Sequence, residues 1–102
     1  MKAFDKERFF KQQDEIRRIL MSKWDPIGVS DTPEAADEYD MYTGAIHGML
    51  LRNASNAELT AHLLEIETKR MGLTDLKGNP LLPAELRSEA VAALQHLKNF
   101  WS

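Results

Sequence analysis

Helix-breaking residues interrupt this chain at three places, and the apolar spacing between the breaks is helical throughout. The breaks are Pro26 with Gly28, then Asn53, then the run from Gly72 to Pro83. Proline fixes φ and lacks an amide donor, while glycine and asparagine accept the left-handed conformation that ends helices. The segments between them repeat apolar residues at three and four positions, so the spacing predicts four helices and no strand. The expected fold class is all-α: a compact four-helix bundle-like domain over residues 1–102, with an ordered W-D-P-I-G turn between helices one and two.

Helix one is predicted from about Asp5 to Lys23, with Phe9, Ile16, Ile19 and Leu20 on one stripe. Gln12 and Gln13 lie close to that stripe and weaken it, while Phe10 and Met21 flank it. Pro26 disfavours helical geometry at Asp25, so the helix should stop by Trp24. Asp25-Pro26-Ile27-Gly28 has the residue order of a type I turn. Trp24, Ile27 and Val29 flank it as an apolar plug for the end of the bundle, so Trp24 is expected to be buried.

Helix two is expected to open at Thr32, a capping residue followed by Pro33 at the first helical position. Tyr39, Tyr42, Ile46, Met49 and Leu50 project to one side, and Glu34, Asp37, Glu38 and Met41 to the other. Gly44 and Gly48 are unusual in a helix interior, where each costs roughly 1 kcal/mol against alanine. Four residues apart, they leave a smooth strip that a second helix can approach closely, within the domain or in a homodimer. Asn53 should close this helix.

Helix three begins at Ser55-Asn56-Ala57-Glu58, which has the form of a capping box. Its stripe is Leu59, Leu63 and Ile66, broadened by Leu64 and Met71, and Gly72-Leu73 reads as a left-handed cap. Arg70 projects onto the stripe and is a candidate partner for a buried tyrosine hydroxyl. Thr74–Leu82 reads as a loop, and Pro83 opens helix four. There Leu86, Ala90, Ala93, Leu94, Leu97, Phe100 and Trp101 form a broad apolar face.

Charge is distributed as unevenly as the breaks. Met1–Lys23 holds seven bases and four acids; Asp25–Leu51 holds no Lys or Arg and six acids; Arg52–Ser102 holds six of each. A mildly acidic balance, net charge -3, argues against nucleic acid, whose phosphates require clustered Lys and Arg. No apolar run is long enough to span a membrane, and MKAFDKERFF lacks an apolar signal core, so a cytoplasmic location is the expectation. The absence of cysteine excludes disulfides, thiolate metal sites and cysteine nucleophiles.

Trp24-Asp25-Pro26-Ile27-Gly28-Val29, then Asp37-Glu38-Tyr39, then the helix end Met71-Gly72-Leu73 resemble a group of short uncharacterised bacterial proteins. That resemblance implies a small bacterial helical domain with a W-D-P-I-G turn and an acidic D-E-Y helix start. It covers roughly the middle half of the chain, excludes helix four, and brings no activity with it.

The chemistry-bearing residues sort into two sets. Glu34, Asp37, Glu38 and Asp40 gather around one helix start, where the helix dipole favours acids and where a basic protein surface can dock. His47, His62 and His96 lie on three different helices, and three imidazoles from facing helices can hold zinc. The chain has no Glu-x-x-His tetrapeptide, no calcium-loop spacing, no nucleophile elbow and no glycine-rich phosphate loop. The expectation is therefore no metal, no cofactor, and a role that leans away from catalysis. It is a protein-interaction domain with Glu34, Asp37, Glu38 and Asp40 as its docking residues, and an immunity-type inhibitor as one specific form. The alternative is a metal- or small-ligand-binding helical protein, with enzymatic activity within its range.

Overall fold

The computed structural model describes residues 6–25 and 39–101. Over these residues the protein is all-α and bundle-like. Helix α1, Lys6–Ile19, runs on into a wider π-type turn, Leu20–Trp24; α2 is Asp40–Leu51. Helix α3, Asn56–Glu65, also runs on into a π-type turn, Ile66–Arg70, and α4 is Ala84–Lys98. Helix α1 packs against α2 and α4, α3 packs against α4, and the π turn of α1 sits on α4.

The local signals act where the sequence puts them. Ser55 caps α3 by accepting from the Glu58 amide at 3.1 Å, and Glu58 returns the bond to the Ser55 amide at 3.0 Å. Gly72 takes φ +67, and the next amide, Leu73, reaches back to the Glu67 carbonyl at 2.8 Å. This bond reaches six positions back, one more than the five of a Schellman cap, in keeping with the wide π turn that it closes. Asn53, at φ +62, ends α2 as expected. Pro83 stands just before α4, in extended conformation.

The core is continuous across the helices. Ile16, Leu20, Trp24, Tyr39, Tyr42, Ile46, Met49, Leu50, Leu59, Leu63, Ile66, Ala90, Val91 and Leu94 are all buried. The stripe read for helix two is therefore its inner face, and Met41, assigned to the opposite side, is exposed. Trp24 is buried at the end of α1, as the plug idea requires.

Several expectations need correction. Among the described residues the α-helix following the turn begins at Asp40; the expected start at Thr32 and Pro33, and the Pro26–Val29 part of the turn, lie outside the described residues. Asp25 itself is left-handed, at φ 35 and ψ 58, and its amide closes the π turn on the Leu20 carbonyl at 2.7 Å. Asp25 is thus the cap of the wide turn before it, while the type of the turn it opens is set by Pro26 and Ile27, which lie outside the described residues. Phe100 is exposed rather than on the apolar face of helix four, and Phe10, beside the stripe of helix one, is exposed as well. Arg70 is exposed too, because the π turn at Ile66–Arg70 adds a residue per turn and rotates it off the stripe.

Gly44 and Gly48 meet no crossing helix among the described residues. A Cβ built at either would find nothing within 4 Å. They lie instead along a shallow open groove between α2 and α3, of about 560 Å³, walled by Ala45, Met49, Arg52, Ala61, His62 and Glu65.

Candidate functional site

The two π turns bring together Trp24 and Glu67, and through Glu67 the buried Arg87. Trp24 closes the first turn, and its indole Nε1 donates to Oε2 of Glu67, inside the second, at 2.6 Å. The other oxygen of Glu67 accepts from Arg87 Nη1 on α4, also at 2.6 Å. Glu67 is fully buried and Arg87 nearly so. A carboxylate without solvent is costly unless both oxygens are bonded. Here each oxygen has a donor, one charged and one neutral, and the three residues tie α1, α3 and α4 to each other. Beside them the Tyr39 ring lies 5.9 Å from Trp24, and its hydroxyl donates to Asp25 Oδ1 at 2.7 Å. Tyr39 thus takes Asp25, not Arg70, as its partner.

Glu67 and Arg87 were missed in the sequence, yet each left a signal. Glu67 follows Leu59 and Leu63 at four-residue spacing, and Arg87 precedes Val91 and Leu94 by four and seven. A charge of each sign at a core position of two different helices is the pattern of a buried pair. Internally satisfied, this network reads as a pin that fixes how three elements dock, and it leaves no group free to react.

A second polar pair lies at the α1–α2 contact. His47 is buried, and its Nε2 sits 2.8 Å from Oε1 of Gln12, so Nε2 carries the proton and donates. The imidazole is held between Phe9, at 5.0 Å, and Trp101, at 5.4 Å. Burial pushes its pKa below the usual histidine value and keeps the ring neutral. Gln12, which weakened the stripe of helix one on paper, is the group this imidazole needs.

The three histidines do not share a site. His96 is exposed, edge-on to Phe100 at 5.1 Å. His62 is half-buried on the wall of the α2–α3 groove, and its Nε2 has no hydrogen-bond partner among the described residues. Burial lowers its pKa, Glu65 opposes that shift, and Arg70 and Arg52 reinforce it. Among the described residues no three His, Asp or Glu side chains come close enough together to hold a metal ion.

Of the expected docking residues, Glu34, Asp37 and Glu38 lie outside the described residues. Asp40 is placed by its backbone as the first residue of α2. Its neighbour Met41 is 72% exposed, so the start of α2 presents an apolar side chain next to the acidic stretch. No helix among the described residues is long and apolar enough to cross a membrane.

The chain matches no family model, no curated protein and no solved structure, so residue chemistry and geometry carry the functional argument.

Proposed function

We propose that this protein is a non-enzymatic interaction domain whose acidic segment around Glu34, Asp37, Glu38 and Asp40 docks a basic protein surface. The observation that carries this reading is the charge pattern: six acids and no Lys or Arg between Asp25 and Leu51. A one-signed stretch of that length raises the local concentration of an oppositely charged partner and orients it. Two structural facts support it. The buried ionisable side chains Glu67 and Arg87 are consumed by each other and by Trp24. On α1, Arg17 and Arg18 both pair with Asp14, so part of the basic charge of the first helix is already engaged. The specific form of the proposal is an immunity-type inhibitor that covers a basic toxin or nuclease, for which fast, charge-steered association is the main requirement.

The test is capture of partners from source-cell lysate by the wild type and by Asp37→Lys/Glu38→Lys, at low and high salt. The wild type should recover a basic protein, more weakly as salt rises, because exposed charges are screened over about 10 Å at 0.1 M. The double variant should recover less of it while circular dichroism shows an intact fold. Equal recovery by both proteins at both salt levels removes the proposal.

A further inference from the structure

We propose that the exposed face of α2 is a homodimer interface, in which two copies of the helix cross antiparallel at Gly44 and Gly48. The residues on that face are Met41, Gly44, Ala45, Gly48, Leu51 and Arg52. All are exposed except half-buried Gly48, and Met41 and Leu51 are large apolar side chains, 72% and 59% exposed. No charge interrupts the face before Arg52 at its end.

The occupant is a second copy because the face is complementary to itself. A two-fold axis at the level of Ile46 sets residue 48 of one copy opposite residue 44 of the other, glycine against glycine. The same axis sets Leu51 opposite Met41, apolar against apolar. It sets Arg52 opposite Asp40, since both stand six residues, about 9 Å of helix, from Ile46. Arg52 caps the C-terminal end of α2 and forms no ion pair among the described residues, and Asp40 is the first residue at the N-terminal end. Residues of opposite charge therefore stand at the same level at both ends of the crossing, and the antiparallel helix dipoles favour the same arrangement. A two-fold interface demands this reciprocity of residue i with j and j with i. The open space over both glycines is what a backbone approaching that closely would fill. The groove beside them, walled by Ala61 and His62, has room for the partner's Met41 or Leu51 and contains a histidine whose Nε2 has no hydrogen bond among the described residues.

The experiment is sedimentation velocity of the purified protein over a wide concentration range. The wild type should pass from monomer to dimer as concentration rises. Gly48→Leu should weaken the dimer about tenfold or more, as overpacking at a close crossing does. It should leave the folded protomer intact, as circular dichroism checks, because a Cβ there meets nothing within 4 Å and the groove beside it is open. Arg52→Glu should also weaken association, and Asp40→Lys combined with Arg52→Glu should restore it, a rescue that no loss of folding can imitate. A monomer at every concentration overturns the proposal. So does a dimer that is indifferent to Gly48→Leu, or one weakened by Arg52→Glu and not rescued by the swap. Because the readout uses the purified protein alone, failure here leaves the acidic-docking reading standing, and the converse holds.

Discussion

Trp24 and Glu67, 43 positions apart in sequence, are joined by a 2.6 Å hydrogen bond between two π-type helix ends. Each wide turn closes with an amide reaching five residues back, Asp25 to the Leu20 carbonyl at 2.7 Å and Met71 to the Ile66 carbonyl at 2.9 Å. An extra residue per turn re-aims the side chains around it. Here it turns an indole and a carboxylate toward each other in the core, where Arg87 completes the charge balance. Such turns often mark functional sites; in this protein they mark the point where α1, α3 and α4 are locked.

Glu67→Ala should be among the most destabilising single changes in the protein. It leaves the Arg87 guanidinium buried without its carboxylate, a loss of about 3–5 kcal/mol. Trp24→Phe leaves the Arg87–Glu67 pair in place but removes the donor and part of the indole's volume. Its cost, below that of Glu67→Ala, adds a small cavity term to about 1–3 kcal/mol for one unsatisfied buried oxygen. Urea denaturation of the two variants checks the order. Equal losses would mean that packing of the indole, and not the hydrogen bond, is what Trp24 contributes.

The buried imidazole at His47 makes stability depend on pH near neutrality. Its folded pKa lies below the unfolded value of about 6.5, so the unfolded chain takes up the proton first. Stability should therefore be full above that pH and fall as pH drops through it toward the folded value. His62 shifts in the same direction and adds to the effect. In His47→Gln the fall in the urea midpoint between about pH 7 and pH 5.5 should be smaller than in the wild type. An unchanged slope in that variant would rule out His47 as the titrating group.

The Asp75 loop should keep its structure well into acid. Its carboxylate accepts from the Asn79 amide at 2.9 Å and the Lys77 amide at 2.8 Å, and these bonds hold its pKa below the usual carboxylate range. The stabilisation is present above the unfolded pKa of about 3.9 and is lost as pH falls through the lower folded value. Amide exchange at Lys77 and Asn79 should speed up in Asp75→Ala at neutral pH. Exchange unchanged by that substitution would show that Gly78, at φ +86, and the Thr74–Pro80 bridge hold the loop without the carboxylate.

Capping at α3 offers a local control. Ser55→Ala removes the side-chain acceptor of the Glu58 amide and should cost about 1 kcal/mol. Gly72→Ala should cost about 1–2 kcal/mol, since an alanine resists φ +67. Gly72→Asn should cost less, because asparagine tolerates that region. Thermal melts rank the three, and an alanine at 72 that melts with the wild type would remove the strain argument.

What the sequence determined by itself is what short-range chemistry decides. The Ser55 capping box, the Gly72 and Asn53 helix ends, the inner stripe of Tyr39, Tyr42, Ile46, Met49 and Leu50, and the burial of Trp24 all follow from residues within a turn or two of each other. The choice of partners across the core does not follow from such neighbours. Periodicity could mark Gln12 as a flaw in a stripe but could not supply His47, thirty-five positions away, as its reason. It assigned Arg70 to the core because a regular α-helix would put it there, and the π turn moved it to solvent. It allowed Gly44 and Gly48 a neighbour inside the domain, and the packing of α1, α3 and α4 left them facing outward. Only the tertiary structure fixes these matters, because each depends on which helix faces which, and that is set by the summed burial of all the stripes rather than by any one of them.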